Sequence, residues 1–206
     1  MLFAGSDTGS AAGAVIMLHG RGASAADILS LAQAFDRPDL AWLAPEAANH
    51  TWYPQRFLVP AALNQPYLDS ALGVVGGLVD HLDRDGIGAD RVVILGFSQG
   101  ACLATEFVAR NPRRYGGLIA FTGGLIGDRI VPDDYSGSLA GTPVFIGSSD
   151  PDPHIPLARV KETSAVLTRL GGEVTERIYP GLGHTISIEE VREAARILDR
   201  LRTAAA

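Results

Sequence analysis

Arg91-Val92-Val93-Ile94-Leu95-Gly96-Phe97-Ser98-Gln99-Gly100-Ala101-Cys102-Leu103-Ala104-Thr105-Glu106-Phe107 joins an apolar, β-branched run to a helical pattern, and the join itself reads G-x-S-x-G. A strand that turns this sharply into a helix carries its central serine at the apex, on a backbone with positive φ. Side chains two residues before and two after would collide there. Glycine at positions 96 and 100 removes the collision. Ser98 is therefore expected to stand as an exposed nucleophile at the carboxyl end of a strand. The competing reading is a tight strand–helix turn with an inert serine.

Working outward, strand-like runs fall at residues 15–18, 40–44, 91–95, 117–121, 143–147 and 174–179. Helical patterns lie between them. Ser24 caps one through Phe35 with Asp27 at its third position, and Pro66 opens one to about Asp83. Residues 99–110 follow the elbow, and Pro156 opens a segment to Leu170. Ser187-Ile188-Glu189-Glu190 is a capping box for a last amphipathic helix ending near Arg202. Alternating strands and helices, with near-continuous apolar strands, imply an α/β fold with a mostly parallel sheet covered by helices on both faces. No linker, repeat or low-complexity stretch divides residues 1–206, so one domain is expected, with residues 9–13 and 203–206 as frayed ends.

Composition narrows the function. The chain has 206 residues, 47% of them hydrophobic and 19% charged, with a formal net charge of −6. Nucleic acids and anionic membrane surfaces both require clustered Lys and Arg, so neither is an expected partner. Lys161 is the only lysine, which excludes a Walker-type phosphate loop. Cys102 is the sole cysteine and suits a reducing compartment. Four residues past Ser98 on a helix, it reads as a small core residue. No basic residue precedes Arg21 and no apolar run reaches membrane-spanning length, so a soluble, cytoplasmic protein without stable membrane association is expected. Oligomeric state stays open, a homodimer included.

A serine hydroxyl needs a base, and the base needs an orienting acid. In folds with this elbow the chain order is Ser, acid, His. Only His154 and His184 follow Ser98, and His184 ends the glycine-rich Tyr179-Pro180-Gly181-Leu182-Gly183-His184 loop, which can bring an imidazole back over the elbow. The acid should follow the fifth strand, in Ser148-Ser149-Asp150-Pro151-Asp152-Pro153-His154-Ile155-Pro156. Counting from the strand end favours Asp150; counting back from Pro156 favours Asp152. Asp152 is preferred because Ile155 can then pack beneath the loop. Backbone amides must meet the developing oxyanion. Gln99 supplies one and Arg21, in His19-Gly20-Arg21-Gly22, the other; the His19 and Arg21 side chains read as loop packing.

Leu18-His19-Gly20-Arg21-Gly22, Gly96-Phe97-Ser98-Gln99-Gly100, Asp152-Pro153-His154-Ile155-Pro156 and Gly181-Leu182-Gly183-His184, in that order, resemble the carboxylesterase/phospholipase family that includes acyl-protein thioesterases. The resemblance spans residues 15–184. It implies an α/β-hydrolase fold and a Ser98–Asp–His184 triad, with the Arg21 and Gln99 amides as oxyanion hole. It departs where two extra residues separate the fifth strand from the Asp-Pro-x-Ile-Pro segment. The fold also usually begins with two more strands, and the short amino-terminal segment has room for at most one.

Residues 122–142 are too few for a large cap domain, though Leu125, Ile126, Ile130 and Val131 could form an apolar lip. Trp52, Tyr53 and Phe57, with Leu58, are candidates to line an acyl or alcohol pocket, or else to anchor their loop. The expectation is a serine hydrolase for short-to-medium-chain carboxylic esters, a small-molecule ester or thioester being the partner, with no cofactor and no metal. A rival reading takes Gly20-Arg21-Gly22-Ala23-Ser24-Ala25 as a dinucleotide-binding G-x-G-x-x-A with Glu46 as the ribose-binding acid. A catalytically silent hydrolase fold used for binding is a third.

Overall fold

The computed structural model describes residues 1–201. Its strands are β1 (Leu2–Gly5), β2 (Gly13–Leu18), β3 (Leu40–Ala44), β4 (Val92–Phe97), β5 (Gly117–Phe121), β6 (Pro143–Asp150) and β7 (Glu173–Pro180), in one sheet of order β1-β3-β2-β4-β5-β6-β7. Only β1 runs antiparallel, against β3; the other pairings are parallel. The helices are α1 (Ala25–Ser30), α2 (Tyr67–Arg84), α3 (Gln99–Arg110), α4 (Leu157–Arg169) and α5 (Ile188–Leu198).

Strand side chains alternate between faces, and the core divides accordingly. Val92 and Ile94 join Leu68, Val75, Leu103 and Val160 in the layer beneath α2, α3 and α4. Val93 and Leu95 join Ile28, Val191 and Ala194 beneath α1 and α5. Central β2 and β3 are buried along their whole length, whereas edge strand β7 alternates between exposed and half-buried residues. Parallel pairing puts the carboxyl ends of β2, β4, β5, β6 and β7 on one edge, where loops build a site.

The elements differ from the sequence reading in detail. β1 is a seventh strand, and its short, exposed run carries too little apolar signal to stand out. The Ser24 cap and its Asp27 partner form as expected, but the helix tightens into a 3₁₀ turn at Leu31–Phe35. Residues 9–13 are not a frayed end: Ala11 and Ala12 are buried, and the Ala12 amide donates to the Asp39 carbonyl at 2.9 Å. The last helix stops at Leu198, where the Arg37 guanidinium takes the Leu198 carbonyl (2.5 Å) and the Leu201 carbonyl (2.8 Å) that would otherwise be orphaned. Arg202 and residues 203–206 lie outside the described residues. Among the described residues no helix is long and apolar enough to cross a membrane.

The long segment after β5 is tied down by buried side chains of α3 and α4: Arg159 donates to the Leu125 and Gly127 carbonyls (both 2.8 Å) and Thr163 accepts the Leu125 amide (3.0 Å). Glu106 on α3 accepts the Ile126 amide (2.9 Å) and pairs with Arg110 (2.6 Å). Burial pushes its carboxyl above the ordinary 4.5, while Arg110, the Ile126 amide and Tyr135 pull the other way. A raised carboxyl stabilises the fold fully below the ordinary value, and the contribution is lost as pH rises through the raised one. Glu106→Gln, which cannot ionise, is expected to gain stability relative to the native chain between about pH 4 and about pH 8. Urea unfolding at both pH values measures this; a difference that does not move contradicts the assignment.

Candidate active site

Ser98 sits between β4 and α3 with φ 54° and ψ −117°, a conformation L-residues rarely adopt. Its amide donates to the Phe121 carbonyl at 3.0 Å, and its carbonyl accepts the Cys102 amide at 3.0 Å, so the turn is fixed on both sides. The flanking glycines are sterically required. A Cβ on Gly96 would overlap the Gly100 backbone, and one on Gly100 would fall on the Leu18 carbonyl oxygen.

His184 arrives from the loop after β7. Gly181 (φ 69°) and Gly183 (φ 80°) take left-handed turns open to glycine. The loop is pinned to β6, the Gly181 amide donating to the Asp150 carbonyl (3.0 Å) and the Gly183 amide to Ser149 Oγ (2.9 Å). His184 Nε2 lies 2.9 Å from Ser98 Oγ, and Nδ1 lies 2.9 Å from Asp152 Oδ2. A carboxylate can only accept, so Nδ1 carries the hydrogen and the Nε2 lone pair faces the serine hydroxyl. Phe97 and His154 flank the imidazole, with ring centroids at 5.2 and 4.8 Å.

The structure brings Asp152, not Asp150, to His184. Asp150 is the exposed last residue of β6, which runs three residues beyond the expected strand end and so absorbs the two extra residues. Asp152 Oδ1 accepts the His154 (2.8 Å) and Ile155 (2.9 Å) amides, and Ile155 is buried beneath the loop. Burial alone would raise the Asp152 carboxyl, but those two amides and then His184 outweigh it and hold it below the usual aspartate range.

The Arg21 and Gln99 amides make no hydrogen bond to the protein among the described residues, although both belong to fixed backbone beside Ser98. Their side chains hold one loop. Gln99 accepts the Trp52 amide (3.1 Å) and donates to the Tyr53 carbonyl (2.8 Å). The Arg21 guanidinium donates to the carbonyls of Tyr53 (2.8 Å), Pro54 (3.0 Å) and Gln55 (2.7 Å). His19 is buried, donating from Nδ1 to the Gly20 carbonyl (2.8 Å) and accepting the Ala47 amide (3.1 Å) at Nε2.

A cavity of about 380 Å³ opens over Ser98 and His184, walled by Tyr53, Phe57, Phe97 and Ile155. Trp52 does not reach it. A buried indole N–H must find an acceptor, and Trp52 Nε1 finds the His19 carbonyl at 2.8 Å, which turns the ring under β2. Leu125 and Ile126 are core residues rather than a lip, the Leu125 amide donating to Thr163 Oγ1 (3.0 Å) and the Ile126 amide to Glu106 (2.9 Å). Cys102 meets the cavity floor, but burial pushes its thiol up to about 12, leaving no reactive thiolate. Glu46, the candidate ribose-binding acid, instead accepts the Ala25 amide at 2.9 Å and so fills the helix end a pyrophosphate would need. Among the described residues no three metal-ligating side chains converge. Sequence reasoning missed Ser149 as the anchor of the His184 loop and the wall positions Phe97 and Arg56. A serine directly after an apolar strand was the one available signal.

The sequence matches the phospholipase/carboxylesterase family over residues 4–201, and the chain belongs to that family. Its architecture is the α/β-hydrolase fold without a large cap domain. It is similar to the crystal structure of a phospholipase/carboxylesterase from Dyadobacter fermentans, at 46% identity and TM-score 0.93 over 96% of this chain and 95% of that one. It is also similar to acyl-protein thioesterase 1 of Debaryomyces hansenii, 32% identical over 58% of this chain and 52% of the relative. With esterase YpfH of Escherichia coli it shares 34% identity over 58% of this chain and 47% of the relative. The chain thus aligns with about half the length of these two curated relatives.

The elbow makes a steric prediction. Gly100→Ala is expected to destabilise the fold by about 3 kcal/mol, because backbone rather than a flexible side chain must give way. Gly9, where an added Cβ meets nothing within 4 Å, is the control, and Gly9→Ala should leave the urea midpoint in place. Equal midpoints for the two variants would contradict the packing described.

Proposed function

We propose that this chain is a carboxylesterase-type serine hydrolase acting on short-to-medium-chain esters, with Ser98 as nucleophile, His184 as base, Asp152 as orienting acid and the Arg21 and Gln99 amides as oxyanion hole. The observation that carries the reading is the unbroken relay from Ser98 Oγ through His184 to Asp152, with both links at 2.9 Å, opening into a cavity. In the first step His184 Nε2 takes the serine proton as Oγ attacks the substrate carbonyl. The two free amides receive the negative charge that forms on the carbonyl oxygen. Asp152, held ionised, stabilises the imidazolium and keeps its ring oriented. His184 then gives the proton to the leaving alcohol, and an acyl-enzyme remains. Water, deprotonated by the same imidazole, releases the acid.

A second reading, acyl thioester hydrolysis, is favoured by the thioesterase name of the Debaryomyces relative. The same relay would serve both, since the attacked atom is a carbonyl carbon in each. Cys102, the only cysteine, fits a reducing compartment, and we place the protein in the cytoplasm on that ground.

Ser98→Ala should abolish turnover of a chromogenic ester while the melting temperature stays within a few degrees. Survival of activity in pure protein would contradict the mechanism. Asp152→Asn should lower kcat by about 10⁴, the cost of presenting the wrong imidazole tautomer in known triads, whereas Asp150→Asn should have little effect. The opposite ranking would transfer the acid's role to Asp150.

Acyl length gives an independent check. Each methylene buried on binding contributes about 0.8 kcal/mol, and one left in water contributes nothing. With an open cavity and no cap, kcat/KM on p-nitrophenyl esters should rise over the first few acyl carbons and then flatten or fall. A maximum at palmitate with a jump at the solubility limit would contradict this, and a strong preference for a thioester of matched length would favour the second reading.

A further inference from the structure

The cavity over Ser98 is cationic in a protein whose net charge is −6: its lining includes Arg21 and Arg56 and no carboxylate. Several arginines here are matched by acids. Arg37, Arg110, Arg159, Arg169, Arg196 and Arg200 each reach a carboxylate. Arg21 does not, since its guanidinium donates only to carbonyls, which use its N–H groups and leave its charge unneutralised. Arg56 is freer. Its carbonyl accepts Asn64 Nδ2 (3.3 Å), which fixes the backbone, while its exposed guanidinium makes no hydrogen bond or ion pair among the described residues. The carboxylate of the relay offers it nothing, because Asp152 is buried and accepts two amides and His184. Arg56 thus stands on the same loop as the apolar walls Tyr53 and Phe57, its fork of donors open beside the reacting serine's cavity.

We propose that Arg56 recognises an anionic group, a carboxylate or a phosphate, carried by the ester substrate at a distance from the scissile bond. The hydrocarbon between ester and anion lies against Tyr53 and Phe57, and the guanidinium binds the anion in its planar fork. The proposal rests on the esterase reading above and narrows its substrate class to anionic esters.

Two matched substrate pairs locate the anion. Mono-p-nitrophenyl adipate and p-nitrophenyl hexanoate have the same acyl length and differ in a terminal carboxylate on the acyl side. 1-Hexanoylglycerol 3-phosphate and 1-hexanoylglycerol differ in a phosphate on the alcohol side. In at least one pair the anionic member should have the higher kcat/KM by about fivefold at low salt, the effect of one exposed ion pair. That ratio should shrink as salt rises and fall to about one in Arg56→Gln. Dissociation constants of the adipate and hexanoate esters for Ser98→Ala, and for Ser98→Ala with Arg56→Gln, read the acyl-side anion without turnover, and those of the two glycerol esters read the alcohol side. If the native enzyme cleaves neither pair, the esterase reading fails while these constants still decide the role of Arg56. Ratios at or below one in both pairs, or a preference that survives Arg56→Gln, overturn the proposal.

Discussion

The contact between Gly100 and the Leu18 carbonyl oxygen governs the active-site edge of this molecule. Only a hydrogen atom fits there, so α3 can begin directly against the end of β2. The close approach brings the loop after β2, with Arg21, beside the first turn of α3, with Gln99. Arg21 and Gln99, from distant parts of the chain, thereby border the same cavity as Ser98. Ser98 accepts a strained φ of 54° as part of the same arrangement, and the hydrogen bonds of its amide and carbonyl hold it there. Strain at a residue of this kind persists only where surrounding packing over-determines it.

Arg21 and Gln99, whose amides are the proposed oxyanion donors, also shape the cavity wall. The Gln99 side chain and the Arg21 guanidinium between them take the Tyr53, Pro54 and Gln55 carbonyls and the Trp52 amide. A substitution at either residue therefore moves the wall, even though the proposed catalytic groups there are backbone N–H donors. This coupling ties the Trp52–Gln55 loop to the two proposed oxyanion donors, which suits electrostatic stabilisation by dipoles that need not reorganise.

Much of this was legible in the sequence, because steric and periodic constraints leave traces in residue type. The G-x-S-x-G join, the apolar strands and the Ser187/Glu190 capping box each have a local cause, and each is found where the sequence places it. His184 followed from chain order and a glycine-rich loop. Asp152 was distinguishable from Asp150 only through Ile155, since both aspartates suit the loop and the strand end was three residues off. The directions of loop aromatics were not legible. Trp52, Tyr53 and Phe57 look alike as candidates, yet a single hydrogen bond to the His19 carbonyl takes Trp52 out of the cavity. The helical pairs Arg110–Glu106, Arg159–Glu162 and Arg196–Glu193 have a spacing that sequence can show, whereas Arg37 with Asp199 and Arg200 with Glu173 pair across long chain separations that it cannot.

Covalent trapping of the nucleophile tests the central claim most directly. The purified protein is treated with a fluorophosphonate and its intact mass and peptide map are measured. One adduct per chain, carried by Ser98 and suppressed in His184→Ala, is the result this account requires. No adduct, or an adduct on another residue with Ser98 unmodified, would contradict it.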